Sequence, residues 1–200
     1  MKSMNKIANF FSNVLDPIPM ILLVGLFGIY VTPLTFDERI FWLCLFGAMV
    51  TVIGFTFFWF MRMGYVFDAR LSKANSDLHR DRLGVLWITN ALLVVTILTA
   101  WMLGRPTPLW NIMVGTTLTL FLATLVTSMY KISFHMIGIT SLVTVLVLHY
   151  GITWSPVLLL VPLVAWSRRT LNRHTMWQIV FGALLASLSY IVVFLATGRI

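Results

Sequence analysis

Ser167-Arg-Arg-Thr-Leu-Asn-Arg-His-Thr-Met-Trp-Gln178 sets three arginines and a histidine between two strongly apolar stretches. Cations at the edge of hydrocarbon-compatible sequence face water, lipid headgroups or an anionic ligand, because leaving them unpaired in hydrocarbon is costly. The flanks of this stretch therefore decide the fold, and the cluster itself is where chemistry belongs.

Outward in both directions the chain stays apolar. Of its 200 residues 60% are hydrophobic and 10% charged, and its mean hydropathy is +0.94, whereas soluble domains carry about 25% charged residues. The composition excludes an ordinary soluble domain and predicts an all-α polytopic membrane helix bundle, with residues 1–200 forming a single membrane domain. A spanning helix needs roughly 20 apolar residues. Such segments fall at 17–34, 40–61, 84–103, 108–130, 133–150 and 177–197, and a seventh, 152–166, is short and carries Pro156 and Pro162. Six to seven transmembrane helices are expected, the seventh kinked where proline removes backbone donors. Ahead of them, residues 1–16 place Ile7, Phe10, Phe11, Val14 and Leu15 at helical spacing beside Lys2 and Lys6, the pattern of an interfacial amphipathic helix. A cleaved signal peptide fits less well, since no small-residue cleavage pattern follows.

The chain has 14 Lys and Arg against 6 Asp and Glu, a net charge of +8. In a membrane protein this excess signals topology and attracts anionic lipid or phosphate; nucleic acid is not expected, because no soluble basic domain exists to bind it. If seven segments cross, one face holds Lys2, Lys6, Arg62, Arg70, Lys73, Arg80, Arg82, Lys131, Arg168, Arg169 and Arg173, and the other Arg39, Arg105 and Arg199. The positive-inside bias makes the rich face cytoplasmic. The single cysteine, Cys44, supports neither a disulfide nor a metal framework. No carboxylates pair for acid–base or metal work, and the spans hold no acid or base to serve a proton-coupled carrier. Asn90, Thr124 and the other hydroxyl residues of the spans read as helix–helix hydrogen bonds, and Gly182 with Ala186 as a close-packing pair. The tryptophans, Trp42, Trp59 and Trp101 among them, read as an aromatic belt, His149 as interfacial beside Tyr150, and His79 as a solvated loop residue.

Three polar islands share the cation-rich face: Lys73-Ala-Asn-Ser-Asp-Leu-His-Arg80-Asp-Arg82, Lys131-Ile-Ser-Phe-His135 and Ser167–Gln178. Their combined spacing resembles the type 2 phosphatidic acid phosphatase superfamily, the membrane lipid phosphatases related to vanadium haloperoxidases. That family's third motif is Ser-Arg, five residues, His, three residues, Asp; Ser167-Arg168, His174 and Gln178 fit in all but the last position. The second motif, Pro-Ser-Gly-His, is matched at Ser133 and His135. The first, Lys, six residues, Arg-Pro, is matched at Lys73 and Arg80, with Arg82 an equal candidate for its arginine. The resemblance covers about 73–197, the phosphatase-like core.

The resemblance implies that His174 attacks phosphorus and becomes a phosphohistidine, that His135 protonates the leaving alcohol, and that no cofactor or metal is needed. Lys73, Arg80, Arg82, Lys131, Ser133 and Arg168 then bind the substrate phosphate, where arginine's fork suits the equatorial oxygens. Ser133 stands where a helix begins, so its hydroxyl and the first-turn amides offer an anion site. Gln178, four residues beyond His174, reaches it on one helix face. It brings no charge there, and an amide can also hold the ring in the wrong tautomer. The implied substrate is a phosphatidic acid-like or polyprenyl (di)phosphate lipid. A relative that binds anionic lipid phosphates without hydrolysing them, or a small lipid carrier, are the alternatives from other classes.

Overall fold

The structure is a computed structural model that describes residues 2–63 and 83–198. Among these residues it is helical with no strand: α1 (Lys2–Val14), α2 (Pro17–Val31), α3 (Phe36–Arg62), α4 (Leu83–Met102), α5 (Leu109–Met129), α6 (Phe134–Tyr150), a 3₁₀ helix (Ile152–Leu159) continuing into α7 (Leu160–Thr170), and α8 (Met176–Ala196). Every apolar segment read from the sequence is a helix. Five stretches are long and apolar enough to cross a membrane: Met4–Val31, Phe36–Phe60, Leu83–Met102, Leu109–Met129 and Met176–Ala196. The sixth expected span, α6, is apolar but has 17 residues. The proline-bearing seventh becomes the 3₁₀ helix, with Pro156 inside it, followed by an 11-residue α-helix. Pro162 falls in the first turn of α7, at the junction with the 3₁₀ helix, where its fixed φ suits a helical backbone.

Helix starts follow the local chemistry. Asp16 Oδ1 accepts from Ile18 N at 3.1 Å, next to Pro17 in the first turn of α2. Thr35 and Glu38 form a reciprocal pair ahead of α3, Thr35 N donating to Glu38 Oε2 at 2.8 Å and Glu38 N to Thr35 Oγ1 at 3.3 Å, which satisfies donors that a helix end leaves over.

The chain forms two compact units, Met1–Phe27 with Ile132–Ile200, and Gly28–Lys131. In the first, α6 packs on α8, on the 3₁₀ helix and on α7, while α1 packs on α7. Met20, Met136, Ile139, Val143, Val164 and Ile179 form its core. Close approach needs small residues: a Cβ on Gly182 would lie 2.8 Å from Ser133 O, and one on Gly138 3.1 Å from Pro17 Cα. Ala186, one turn beyond Gly182, is fully buried. The Gly182/Ala186 pair therefore seats α8 on the beginning of α6, without side chains between the backbones. On α1 it is the small residues Ala8 and Ser12 that are buried, while Met4, Ile7, Phe10 and Val14 are exposed.

In the second unit α4 packs on α5 and on α3, around Ile29, Trp42, Ala100, Leu109 and Met113. Trp42 is a core residue, not part of an aromatic belt, whereas Trp59 and Trp101 are exposed. Asn90 Nδ2 donates to Thr124 Oγ1 at 2.9 Å, an interhelical bond of the expected kind. Thr99, Thr116, Thr117 and Thr119 bond to carbonyls one turn back in their own helices, and Thr96 does so while also lying 3.7 Å from Met49 Sδ of α3. A hydroxyl four residues beyond a carbonyl finds that oxygen at once, and the local bond removes most of the need for a partner across the interface.

Candidate functional site

The Ser167–Gln178 stretch is the corner between α7 and α8, and two capping motifs shape it. Asn172 adopts a left-handed backbone, φ 50°, which asparagine tolerates better than most residues. Around it Asn172 N donates to Arg169 O at 2.9 Å and Arg173 N to Arg168 O at 3.2 Å, the paired bonds of a Schellman ending. Thr175 then caps α8: Gln178 N donates to Thr175 Oγ1 at 3.3 Å and Thr175 N to Gln178 Oε1 at 3.1 Å. The five residues between Arg168 and His174 are the length that ends one helix and starts the next.

The capping box also fixes the chemistry of His174. Its Nδ1 lies 3.2 Å from Gln178 Oε1. A backbone N–H can only donate, so the Gln178 atom that accepts from Thr175 N is the oxygen, and the amide cannot be reversed. The same oxygen faces His174 Nδ1, so in the neutral ring the proton sits on Nδ1 and the lone pair on Nε2. Gln178 thus holds the tautomer that a nucleophilic Nε2 requires, and the opposite one that an amide could impose is not selected. What it lacks is the negative charge of a carboxylate.

At the end of α7, Arg168 is almost fully buried. Its Nη1 donates to Ser12 Oγ at 2.7 Å and lies 3.3 Å from His135 Nε2. His135 Nε2 is also 3.2 Å from the Ser12 carbonyl and 3.7 Å from Asp16 Oδ2. These contacts ask for different forms of the ring: only an Nε2 without a proton accepts from Arg168, and only Nε2–H donates to the Ser12 carbonyl. The place of the ring proton therefore decides which of these two neighbours His135 Nε2 bonds. The backbone joins the two helix starts, Ser133 N donating to Gln178 O at 3.2 Å. Two helix N-termini, those of α6 and α8, and their positive dipole ends thus meet beside the histidines and Arg168.

Of the residues expected from the sequence, the structure brings Arg168, His135, Ser133, His174 and Gln178 into one unit. Ser133 occupies the N-cap position of α6, but its hydroxyl makes no capping bond; it is fully buried and its Oγ has no hydrogen-bond partner. Lys131, two residues earlier, is the last residue of the other unit. Lys73, Arg80 and Arg82, with His79, lie outside the described residues. Among the described residues, no three His, Cys, Asp or Glu side chains gather as a metal ion would need.

The sequence reading missed Ser12 and Asp16. The large apolar residues of α1 hid a second pattern, Ala8 and Ser12 four residues apart, which is a small-residue face for close helix contact. Ser167 Oγ donates to Ala8 O at 2.7 Å, directly before Arg168 meets Ser12. No protein-family model, curated protein or solved structure matches this chain.

Proposed function

We propose that this protein is a membrane lipid-phosphate phosphatase of the type 2 phosphatidic acid phosphatase kind, acting on a phosphatidic acid-like or polyprenyl (di)phosphate lipid. The observation that carries the reading is the meeting of Arg168 with His135 at 3.3 Å, 33 residues apart in sequence, beside a His174 whose Nδ1 is held by Gln178. In the proposed reaction His174 Nε2 attacks phosphorus and the lipid alcohol or phosphate leaves with a proton from His135. Water then cleaves the phosphohistidine, giving a proton back to His135 and freeing His174 and phosphate. Arg168 and the helix N-termini of α6 and α8 oppose the charge that builds on the phosphoryl oxygens. Phosphoryl transfer asks a protein mainly for such positioning and charge, so two histidines among cations suffice in kind.

Within the same reading the bundle makes six or seven crossings, with α1 at the interface, its exposed Ile7, Phe10 and Val14 in the acyl boundary and its lysines among headgroups. The charge count puts the site on the cytoplasmic side.

A second reading is favoured by one observation, the neutral Gln178 in place of a carboxylate: a relative that binds lipid phosphates with little turnover. Phosphate release from a panel of lipid phosphates by the purified protein separates the two. Hydrolysis lost in His174→Ala supports the enzyme. An inert wild type that gains turnover on Gln178→Asp supports the binder, and because the tautomer is already correct the added charge is worth about ten- to a hundredfold. If none of the three proteins releases phosphate from any substrate, the nucleophile assignment fails.

A further inference from the structure

Ser12 touches both Arg168 and His135 from a helix more than 120 residues away in sequence. Its hydroxyl accepts from Arg168 Nη1 at 2.7 Å, and its carbonyl lies 3.2 Å from His135 Nε2. It is almost fully buried, as is Arg168, so water competes little for the bond between them. The guanidinium is planar with its donors in a fixed fork; holding one nitrogen against a fixed oxygen limits the plane of the whole group. The Ser12 carbonyl belongs to the last turn of α1, whose oxygens have no amide ahead of them in the helix and carry the negative end of its dipole. A buried cation and a proton-carrying imidazole are what that end of a helix stabilises.

The register of this contact is set twice. On α1, Ala8 and Ser12 are one turn apart on one face; on α7, Ser167 and Arg168 are adjacent. Ser167 Oγ donates to Ala8 O at 2.7 Å and Arg168 Nη1 to Ser12 Oγ at the same distance. A slip of α1 along α7 would break both bonds together, so the position of Ser12 opposite Arg168 is not an accident of one rotamer.

We infer that Ser12 is a positioning residue of the anion site, fixing the Arg168 fork and the His135 ring relative to each other so that a phosphate-bearing ligand meets both in one geometry. This rests on the reading of that site as one for a phosphate group. It makes α1 a part of the site and not only a membrane-surface anchor. The ligand chemistry is a phosphate monoester or diphosphate anion, lipid-borne or free.

The test uses the full chain purified in detergent, with Ser12→Ala, Ser12→Thr and Ser12→Val, and Arg168→Ala for reference. Binding of inorganic phosphate and of a short-chain phosphatidic acid is titrated, and KM, kcat and their pH dependence are measured for phosphate release. Thr and Val have the same shape and differ only in the hydroxyl, so packing alone treats them alike. The expected result is that Ala and Val weaken binding about tenfold, raise KM to match and move the pH profile, while Thr stays within about threefold of wild type. A loss confined to phosphatidic acid identifies the lipid-borne group as the ligand Ser12 serves; a loss confined to inorganic phosphate identifies the free anion. If Ala and Val bind and turn over as wild type does while Arg168→Ala abolishes binding, Ser12 has no positioning role and the function stands. If wild type neither binds these probes nor releases phosphate, the site has been misread and this inference falls with it.

Discussion

Two buried polar contacts between helices make an instructive pair. In the second unit Asn90 of α4 donates to Thr124 of α5, while Thr124 in turn donates to its own Leu120 carbonyl. In the first unit Arg168 of α7 donates to Ser12 of α1 and faces His135 of α6. Both are water-poor and both tie helices together. In the neutral pair Asn90 Oδ1 has no partner, and the threonine keeps its local bond if the asparagine is lost. In the charged cluster each member orients another. The first contact can do little but stabilise, whereas the second holds a buried cation against an imidazole, which chemistry can use.

The sharpest way to break the comparison is to remove the proposed nucleophile. His174→Ala lowers phosphate release more than about a thousandfold with little change in melting, because the side chain is only partly buried; a residual rate within tenfold of wild type would place the chemistry elsewhere. Next in size is Gly182→Ala. Its added Cβ meets the Ser133 carbonyl, a backbone atom at 2.8 Å, so α8 must move from α6. The expected cost is about 1–3 kcal/mol of stability, with a fall in turnover because the starts of both helices shift, read by thermal unfolding beside activity. Asn90→Ala is smaller, about 1 kcal/mol, and leaves KM and kcat unchanged; a change in either would show that the neutral pair is not merely structural. Smallest is Gly28→Ala in the second unit, where the new Cβ meets the tip of Leu109 at 3.1 Å. A flexible side chain gives way, so the net effect on melting is within about 0.5 kcal/mol.

The helices themselves were legible in the chain, since each apolar run of 15 or more residues became one and the prolines at 156 and 162 marked the altered seventh segment. The corner between α7 and α8 was legible too, through the Ser-Arg and His spacing, although the left-handed Asn172 that produces the spacing was not. Ser12 was not legible for a physical reason. Helical patterns are read from large apolar residues, and α1 turns those outward and packs by its smallest ones. Trp42 shows the converse, because its place near a segment end matched a belt residue and only packing revealed it as core. The hydroxyls of the spans misled in a third way: their number announced contacts between helices, while most are spent on the preceding turn of their own.

The seam between α1 and α7 also has a consequence in time. Ser12 and Arg168 are separated by 156 positions, and ribosomes add about 5–20 residues per second. Once made, the first helix therefore waits on the order of 10–30 s for the strip of chain it will grip. During biosynthesis Ala8 and Ser12 face lipid, water or a chaperone. The seam is among the last contacts the chain completes, so a nascent protein released or cleaved before α7 would carry a first helix without the Arg168 that its Ser12 holds.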